Sequence, residues 1–391
     1  MRILWLSVSP MAPTGYGAIT REAVKRLVKA GHVVRVGCKH WVPAMHLWFP
    51  GGGLAPVEVF DATNTLLVNQ MLEAERFDYI WTLIDIEMLA ERRKYPKEKW
   101  VGYFPVDTIE MSDCAYSVAT EIGLPVAMSR HGEAAMKARG LEPMYAPHAV
   151  DFDVFKIKPA HRAAWRHDLG YDDSHFVIGS VGRNNMDDRK GFLPLFQAFK
   201  IFHERHPEAR LYLHTNLNAG YHAEGEINYQ KCIDNLGIGE WVTAIDQAAY
   251  ALARVEDEWV ADAYNGMDVM CLPTRGEGFG IPLVEAQACG TPVVTTATTS
   301  GPELIKNGVL IKTTDDDRMW LPGGAWRHVV RPSAIVEALE NEYGYIHAAD
   351  SEWLRKDVRE GMIPYSWDSV WPTYFEPVIA EMERRLDARR T

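Results

Sequence analysis

The sequence predicts an α/β protein of two domains, each built on a parallel sheet. Its 391 residues exceed what one ordinary hydrophobic core accommodates and suit two such domains. Both halves alternate short apolar strand patterns with amphipathic helix patterns, which is typical of βαβ units. A glycine-containing loop follows the first strand of each half, where parallel sheets bind their ligands.

The first half carries five strand patterns and two helix patterns before a linker. Helix 18–30 has an apolar face and ends at Gly31. The predicted strands are residues 3–8, 33–37, 79–83, 101–104 and 125–128, and the second helix is 132–139. Residues 144–146 run into a Pro-containing segment, 147–151, which is the predicted linker.

The second half repeats this pattern. The predicted strands are 176–181, 210–214, 268–272 and 292–295, and the helices are 192–206, 255–264 and 370–386, the last with a basic tail. Between them, residues 313–332 hold three aspartates, two tryptophans and a Gly-Gly pair. This composition predicts an irregular insertion, to which the sequence assigns no role.

Charge is unevenly distributed along the chain. The formal net charge is −12. Residues 1–150 hold as many acidic as basic groups, so the whole excess lies in 151–391. An acidic protein is a poor general binder of nucleic acids. One basic cluster, 92–99, is interpreted as a solvated helix end, with an anionic acceptor site as the alternative.

Other features of the composition indicate where in the cell the protein is expected and whether it binds a metal. The sequence contains no run of eighteen apolar residues, so no membrane span is predicted. The N-terminus has the pattern of a strand and not that of a signal peptide. Five cysteines without a CxxC pair predict reduced thiols in a cytoplasmic protein. Histidines lack the spacing of metal ligands, so no metal site is expected.

The most informative segment is 271–294. A short apolar strand leads into a loop with three glycines, followed by a helix that has Pro282 in its first turn and Gly290 at its end. A strand, glycine loop and helix in this order direct backbone N–H groups and the positive end of a helix dipole at one point. That arrangement suits an anion.

Two carboxylates flank that point, Glu277 in the loop and Glu285 in the helix. Because carboxylates repel phosphate, they are expected to accept hydrogen bonds from sugar hydroxyls. Phosphate beside hydroxyls is the chemistry of a nucleotide-sugar. The alternative is that both glutamates merely cap and solvate the helix.

With seven residues between them, Glu277 and Glu285 resemble the E-x7-E signature of retaining family-4 glycosyltransferases. The resemblance extends to the Gly278-Phe279-Gly280 run, to 288–294 and to 302–304. It implies the GT-B architecture of two facing Rossmann-like domains with an interdomain cleft. The acceptor-side domain would be 1–150 with a C-terminal crossover helix at about 366–391, and the nucleotide-sugar-binding domain 151–365.

The loop after the first strand of the second half adds cations. A pyrophosphate carries about two negative charges and needs such groups. Arg183 and Lys190 resemble the family's G-R-x(n)-K-G diphosphate clamp, with Arg189 as an alternative to Lys190. An acidic pair, Asp187 and Asp188, interrupts the spacing and could instead hold Arg189 and shape the loop. A surface loop with ordinary salt bridges is the simpler alternative.

The first half offers acceptor-side candidates. Its glycine loop lacks a full GxGxxG pattern. The resemblance places Gly15 and Gly17 close to the donor, with Thr14 or Tyr16 contacting substrate. Asp107 ends another strand and is expected to orient the acceptor hydroxyl or act as a partial base, with a cap or turn role as the alternative. His148, in the linker, is interpreted as a structural histidine.

Together with these residues, the resemblance implies a retaining glycosyltransferase that uses a nucleoside-diphosphate sugar as co-substrate and neither cofactor nor metal. Glu277, Gly278, Phe279 and Gly280 would contact the donor, and Glu285 its ribose. Alternatives are another GT-B enzyme, such as a nucleotide-sugar epimerase or phosphorylase, and a catalytically silent interaction module. The acceptor stays open: a small molecule, glycan, protein or, resting only on cluster 92–99, a hydroxymethylated base in DNA.

Overall fold

The computed structural model describes residues 1–39, 46–63, 65–74, 76–89, 95–218, 226–251 and 255–391. They form two compact units. Unit 1 contains Met1–His148, Pro322–Ala325 and Val370–Thr391, and unit 2 contains Ala149–Leu321 and Trp326–Ser369. The short segment Pro322–Ala325 therefore belongs to a different unit from the residues on either side of it. No helix in the described ranges is long and apolar enough to cross a bilayer.

Unit 1 is built on an eight-stranded sheet. Its strands are β1 (Arg2–Ser7), β2 (Val33–Cys38), β3 (His46–Trp48), β4 (Val57–Asp61), β5 (Tyr79–Leu83), β6 (Trp100–Phe104), β7 (Leu124–Ala127) and β8 (Met144–Tyr145). The spatial order is β3-β4-β2-β1-β5-β6-β7-β8, and every pairing is parallel except β3 with β4. Strands β5, β6 and β7 are buried throughout, and Trp5 of β1 stacks on Trp81 of β5.

Several helices of unit 1 begin at capping residues. Thr14 caps the first helix and Ser129 the fourth, each accepting a hydrogen bond from the backbone N–H three residues on. The helices are α1 (Gly15–Lys29), α2 (Thr65–Ala74), α3 (Asp113–Ala119), α4 (Arg130–Ala138) and the C-terminal α15 (Glu376–Arg390). The C-terminal helix is fixed to the first sheet, because the Tyr79 hydroxyl donates to the Met382 carbonyl over 2.7 Å.

Unit 2 has a six-stranded, wholly parallel sheet and a separate hairpin. The sheet strands are β9 (Phe176–Val181), β10 (Ala209–His214), β11 (Val242–Ala244), β12 (Val269–Leu272), β13 (Val293–Thr296) and β14 (Gly308–Ile311). Their order is β11-β10-β9-β12-β13-β14. The hairpin pairs β15 (Arg318–Trp320) with β16 (Trp326–His328) in antiparallel register.

The remaining α-helices belong to unit 2, except for the final residue of the last one. They are α5 (Pro159–Asp168), α6 (Phe192–Arg205), α7 (Tyr229–Leu236), α8 (Gln247–Ala251), α9 (Asp257–Gly266), α10 (Ile281–Ala288), α11 (Gly301–Leu304), α12 (Pro332–Ala348), α13 (Ser351–Glu360) and α14 (Trp367–Val370). Four phenylalanines of α6 are buried in one cluster with strand residues of the sheet and with α12. Burial of such side chains contributes roughly 1.5–3 kcal/mol each.

Most of the predicted elements match the structure to within a few residues. Two expectations need correction. The 313–332 segment is not irregular, because it contains the β15–β16 hairpin. The last helix, predicted at 370–386, is continuous but not α-helical throughout, since a π-helical segment, Trp371–Phe375, precedes Glu376–Arg390. Pro372 and Pro377 lie in this region, and a proline lacks the N–H that a regular helix needs.

Each parallel sheet reverses its strand order at one place. In unit 1 this switch point lies between β1 and β5, and in unit 2 between β9 and β12. Ligands of open α/β sheets bind at the carboxyl ends of the strands at such points. The segments that follow these four strands are therefore where a site is expected.

Candidate functional site

Two loops meet at the switch point of unit 2: loop 182–191 after β9 and loop 273–280 after β12. Arg275 N donates to the Arg189 carbonyl over 2.7 Å, and Arg189 Nη1 donates to the Gly276 carbonyl over 2.6 Å. Gly191 has φ 75°, and a Cβ there would lie 2.0 Å from the Pro273 carbonyl oxygen. Glycine is thus required at 191 by both conformation and contact. The two loops form one structural unit.

The centre of this unit is an ion pair between Glu277 and Lys190. The Lys190 Nζ lies 2.7 Å from Glu277 Oε1, and the two residues are 8% and 5% exposed. Arg189 Nη1 lies 3.4 Å from the other carboxylate oxygen. Burial alone would raise the Glu277 pKa, but the charges of Lys190 and Arg189, with hydrogen bonds from Lys190 and Thr274, hold it at about 2. Glu277 is therefore a carboxylate at neutral pH.

Lys190 and Arg189, the two alternatives for the phosphate clamp, both lie at the Glu277 carboxylate. Both side chains contact Glu277, one at each oxygen. Arg183, at the start of the same loop, is exposed. Loop 182–191 thus presents one exposed cation and two cations that are already engaged with a buried carboxylate.

Glu285 lies in α10, the helix that follows loop 273–280. It is partly buried, and its Oε2 accepts a hydrogen bond from the Tyr264 hydroxyl over 3.0 Å. Burial and the charge of Asp257 raise the Glu285 pKa to about 8, against the opposing hydrogen bond from Tyr264. The pKa values of the two glutamates therefore shift in opposite directions: the cations beside Glu277 lower its pKa, whereas burial, with the charge of Asp257 added, raises that of Glu285.

The three residues that follow Glu277 are buried. Gly278, Phe279 and Gly280 lead into α10, with Gly280 at its N-cap. The segment after β13 supports them. Ser300 Oγ donates to the Phe279 carbonyl over 2.5 Å, and Glu277 N donates to Thr299 Oγ1 over 2.9 Å. Sequence reasoning missed Thr299 and Ser300, although the 302–304 run next to them was part of the family resemblance.

The two aspartates of loop 182–191 shape the loop. Asp188 adopts a left-handed backbone, φ 46°, and its carboxylate accepts from Phe192 N over 3.0 Å at the start of α6. It also accepts from the Tyr229 hydroxyl over 2.9 Å. Asp187 Oδ1 accepts from Arg189 N over 3.2 Å. Burial raises the Asp188 pKa, opposed by the Tyr229 hydrogen bond and the charge of Arg275.

At the switch point of unit 1, side chains of the glycine loop, 13–17, form hydrogen bonds to other groups of the same chain. Thr14 Oγ1 accepts from Gly17 N over 3.1 Å, and the Tyr16 hydroxyl donates to Asp85 Oδ1 over 2.8 Å. A Cβ at Gly17 would lie 2.2 Å from the Ala12 carbonyl oxygen. Packing of the loop itself therefore already requires Gly17. Gly15, the first residue of α1, is exposed.

Asp107 is partly buried in the segment after β6. Burial raises the pKa of the nearby Glu87, and the charges of Asp107 and Asp85 raise it further. The ring of His131, whose Nε2 lies 2.7 Å from the Thr108 carbonyl, is also within range of the Asp107 charge.

His148 is fully enclosed in unit 1. Its Nδ1 lies 2.7 Å from the Tyr103 hydroxyl, and burial lowers its pKa to about 3. A neutral, hydrogen-bonded ring of this kind is structural, as the sequence interpretation had it.

The basic cluster 92–99 is only partly described, because 92–94 lie outside the described residues. Lys97 Nζ donates to the Thr120 carbonyl over 2.8 Å, and Lys99 Nζ donates to the Phe77 carbonyl over 3.0 Å. These two cations thus bind backbone oxygens of the same unit.

Two Rossmann-like units with these sheet orders have the GT-B fold, and comparison with solved structures shows it directly. Sucrose-phosphate synthase from Thermosynechococcus elongatus matches with a TM-score of 0.72 over 100% of both chains, at 17% identity. The Anabaena protein HepE, solved in complex with UDP-glucose, matches with a TM-score of 0.69 over 97% of this chain and 100% of that one, at 18% identity.

Sequence comparison matches the part of the chain that holds the candidate site. Residues 175–320 match the family Glycosyl transferases group 1. D-inositol 3-phosphate glycosyltransferase from Mycobacterium sp. (strain KMS) is 34% identical over 182 residues, which is 46% of this chain and 37% of that protein. The matched part is thus well under half of the relative. The residues that match this family, 175–320, all lie within unit 2.

Proposed function

We propose that this protein is a retaining glycosyltransferase of the family-4 type, with Glu277 and Glu285 as its E-x7-E pair. It would move a sugar from a nucleoside-diphosphate sugar to an acceptor hydroxyl. The observation that carries the proposal is the buried Lys190–Glu277 pair at the switch point of unit 2. This pair would supply a fixed carboxylate for sugar hydroxyls directly beside cations for phosphate. An ordinary helix cap has no need of such a pair.

Each group of the donor has a candidate partner. Arg183 and Lys190 would neutralise the charge that develops on the departing diphosphate, where fixed cations act most strongly. Glu277, ionised with a pKa of about 2, would accept from hydroxyls of the transferred sugar. Gly278, Phe279 and Gly280 would bring the start of α10 close to the donor.

Glu285 would accept hydrogen bonds from the ribose hydroxyls. HepE was solved with UDP-glucose, which makes uridine nucleotides the first donors to test.

The chemical step would exchange one bond for another at the anomeric carbon. The bond to the diphosphate oxygen breaks, a bond to the acceptor oxygen forms on the same face, and the acceptor proton passes to the departing phosphate. The cations of loop 182–191 would supply the positive charge that a metal ion supplies in other enzymes. On unit 1, Asp107 is the candidate for orienting the acceptor hydroxyl, and Thr14, Gly15, Tyr16 and Gly17 form the other candidate contacts.

The direct test is a donor screen. UDP-, GDP- and ADP-sugars are compared for protection against thermal unfolding, and the binders are then assayed for nucleotide release with and without candidate acceptors. Acceptor-dependent release with the anomeric configuration retained is expected. Isomerised free sugar without an acceptor would indicate an epimerase, phosphate-dependent turnover a phosphorylase, and no nucleotide binding a silent module.

Donor affinity should depend on pH through Glu285. Hydrogen bonds from ribose favour the carboxylate, so binding should release a proton from a group whose pKa is about 8 in the free protein. Affinity for a sugar nucleotide should therefore rise from about pH 6.5 to about pH 8, by up to roughly tenfold per pH unit. Titration calorimetry with a sugar nucleotide is suitable because its phosphate diesters do not ionise in this range.

The matched variant for this measurement is Glu285→Gln. It keeps the shape and an acceptor oxygen but cannot ionise, so its donor affinity should be weaker and flat with pH. A wild-type affinity that does not change over this range would contradict the assignment of Glu285 to the ribose.

Arg183→Ala should lower turnover without affecting the fold, because the side chain is exposed. Losing one cation close to a diphosphate should reduce kcat/KM about tenfold to a hundredfold. Arg205→Ala, at an exposed arginine near the end of α6, is the control and should leave kcat/KM unchanged. Equal activity of the two variants would remove Arg183 from the site.

A further inference from the structure

The 313–332 insertion contacts the candidate site of unit 2. Arg327 of β16 is 7% exposed, and its Nη1 lies 2.7 Å from Asp187 Oδ2 in loop 182–191. His328 Nδ1 lies 2.9 Å from Thr298 Oγ1, just before the segment that supports Glu277. Met319 of β15 lies 3.7 Å from Arg275 through its sulfur. The hairpin thus rests on the loops that would bind the donor.

The charges of the candidate anion site do not favour an anion by themselves. Loop 182–191 and Glu277 together hold three cations and three carboxylates. The cations are Arg183, Arg189 and Lys190, and the carboxylates are Asp187, Asp188 and Glu277. These formal charges cancel. A diphosphate with about two negative charges would gain little from a neutral site and would be repelled by any carboxylate left without a counter-charge.

Two further arginines restore the positive charge, and each faces one of the two aspartates. Arg275 Nη2 lies 3.6 Å from Asp188 Oδ2, and Arg275 Nη1 donates to the Asp187 carbonyl over 2.7 Å. Arg327 pairs with the Asp187 carboxylate. Counting both arginines gives the site a formal charge of +2, which matches the diphosphate.

We propose that Arg327 is a positioning residue whose charge cancels that of Asp187, so that the insertion sets the affinity of loop 182–191 for diphosphate. This inference rests on the proposed function. It gives the insertion a role in donor specificity: with Arg327 in place the loop selects sugar nucleotides by their phosphates. Arg327 itself touches Asp187 and acts on the donor through the net charge of the loop.

Four proteins test this: wild type, Arg327→Gln, Asp187→Asn and the double variant, each titrated with UDP-glucose, pyrophosphate and uridine. Arg327→Gln should bind UDP-glucose and pyrophosphate about tenfold more weakly, because Asp187 is left uncompensated. Asp187→Asn should bind both more tightly than wild type, since a negative charge is lost while its backbone-facing oxygen remains. The double variant should return to near wild-type affinity, and uridine binding should be the same in all four.

The opposite signs of the single variants and the recovery in the double variant separate charge from structural damage. Arg331→Gln is the matched control, because Arg331 pairs with Asp317 at the surface of the same insertion, 2.6 Å apart. It should bind like wild type. If wild type binds UDP-glucose but the double variant is as weak as Arg327→Gln, the inference is overturned and the proposed function stands. If wild type binds pyrophosphate but no sugar nucleotide, the proposed function falls instead.

Discussion

Replacing Lys190 with methionine should lower both activity and stability. The ammonium group lies 2.7 Å from Glu277, and both residues are almost fully buried. Loss of a fixed cation beside the departing diphosphate should reduce kcat about a hundredfold to a thousandfold. Stability should fall by about 3 kcal/mol, at the low end for a broken buried pair, because Arg189 still faces the other Glu277 oxygen. Nucleotide release and urea unfolding measure the two effects.

A second substitution separates these effects. In Lys190→Met/Glu277→Gln no buried carboxylate is left without its partner, so most of the lost stability should return. Activity should not return, because both the cation and the carboxylate that would hold the sugar are gone. A double variant with restored activity would show that the pair is structural and would remove Glu277 and Lys190 from the chemistry.

The strand, glycine loop and helix around Glu277 and Glu285 were predictable because their signals are local. Pro282 marks the start of the helix and Gly290 marks its end. The strand before the loop is a continuous apolar run, as buried parallel strands are. The same holds for β9, whose predicted range equals the observed Phe176–Val181. Local signals thus fixed where the candidate loops begin and end.

Contacts across long sequence separations could not be predicted in this way. Arg327 and Asp187 are 140 positions apart, and nothing near either residue indicates its partner. The hairpin was missed because its strands have only three residues each, too few for an alternation to register. Sequence patterns therefore located the candidate glutamates and cations but not the network that determines their charges.

The ion pairs of Asp268 are a second example of contacts that the sequence could not predict, and their role is structural. The sequence indicated only a residue at the start of a strand. In the structure Arg162 Nη2 and Arg166 Nη1 lie 2.5 and 3.0 Å from its two oxygens, and Val177 N donates to it over 2.7 Å. This carboxylate joins α5 to the amino ends of β9 and β12. The candidate site lies at the carboxyl ends of the same strands.

Asp268→Asn should therefore destabilise unit 2 while leaving the donor loops unchanged. Arg166 is 4% exposed, so removing the charge of its partner leaves a buried cation without a counter-charge, at a cost of about 3–5 kcal/mol. Urea unfolding should show this loss, and the folded fraction should keep wild-type donor affinity. The control is Asp262→Asn on α9, whose more exposed pair with His161 should contribute less than about 1 kcal/mol.

The pH dependence of this loss gives a sharper test. Burial would raise the Asp268 pKa, but the charges of Arg162 and Arg166 lower it below the ordinary carboxyl range. A lowered folded-state pKa means that the carboxylate stabilises the fold at neutral pH and that this contribution is lost as pH falls through that pKa. The difference in unfolding free energy between wild type and Asp268→Asn should therefore shrink on acidification below about pH 4. A difference that stays constant from neutral to acidic pH would mean that the ion pair does not stabilise the fold.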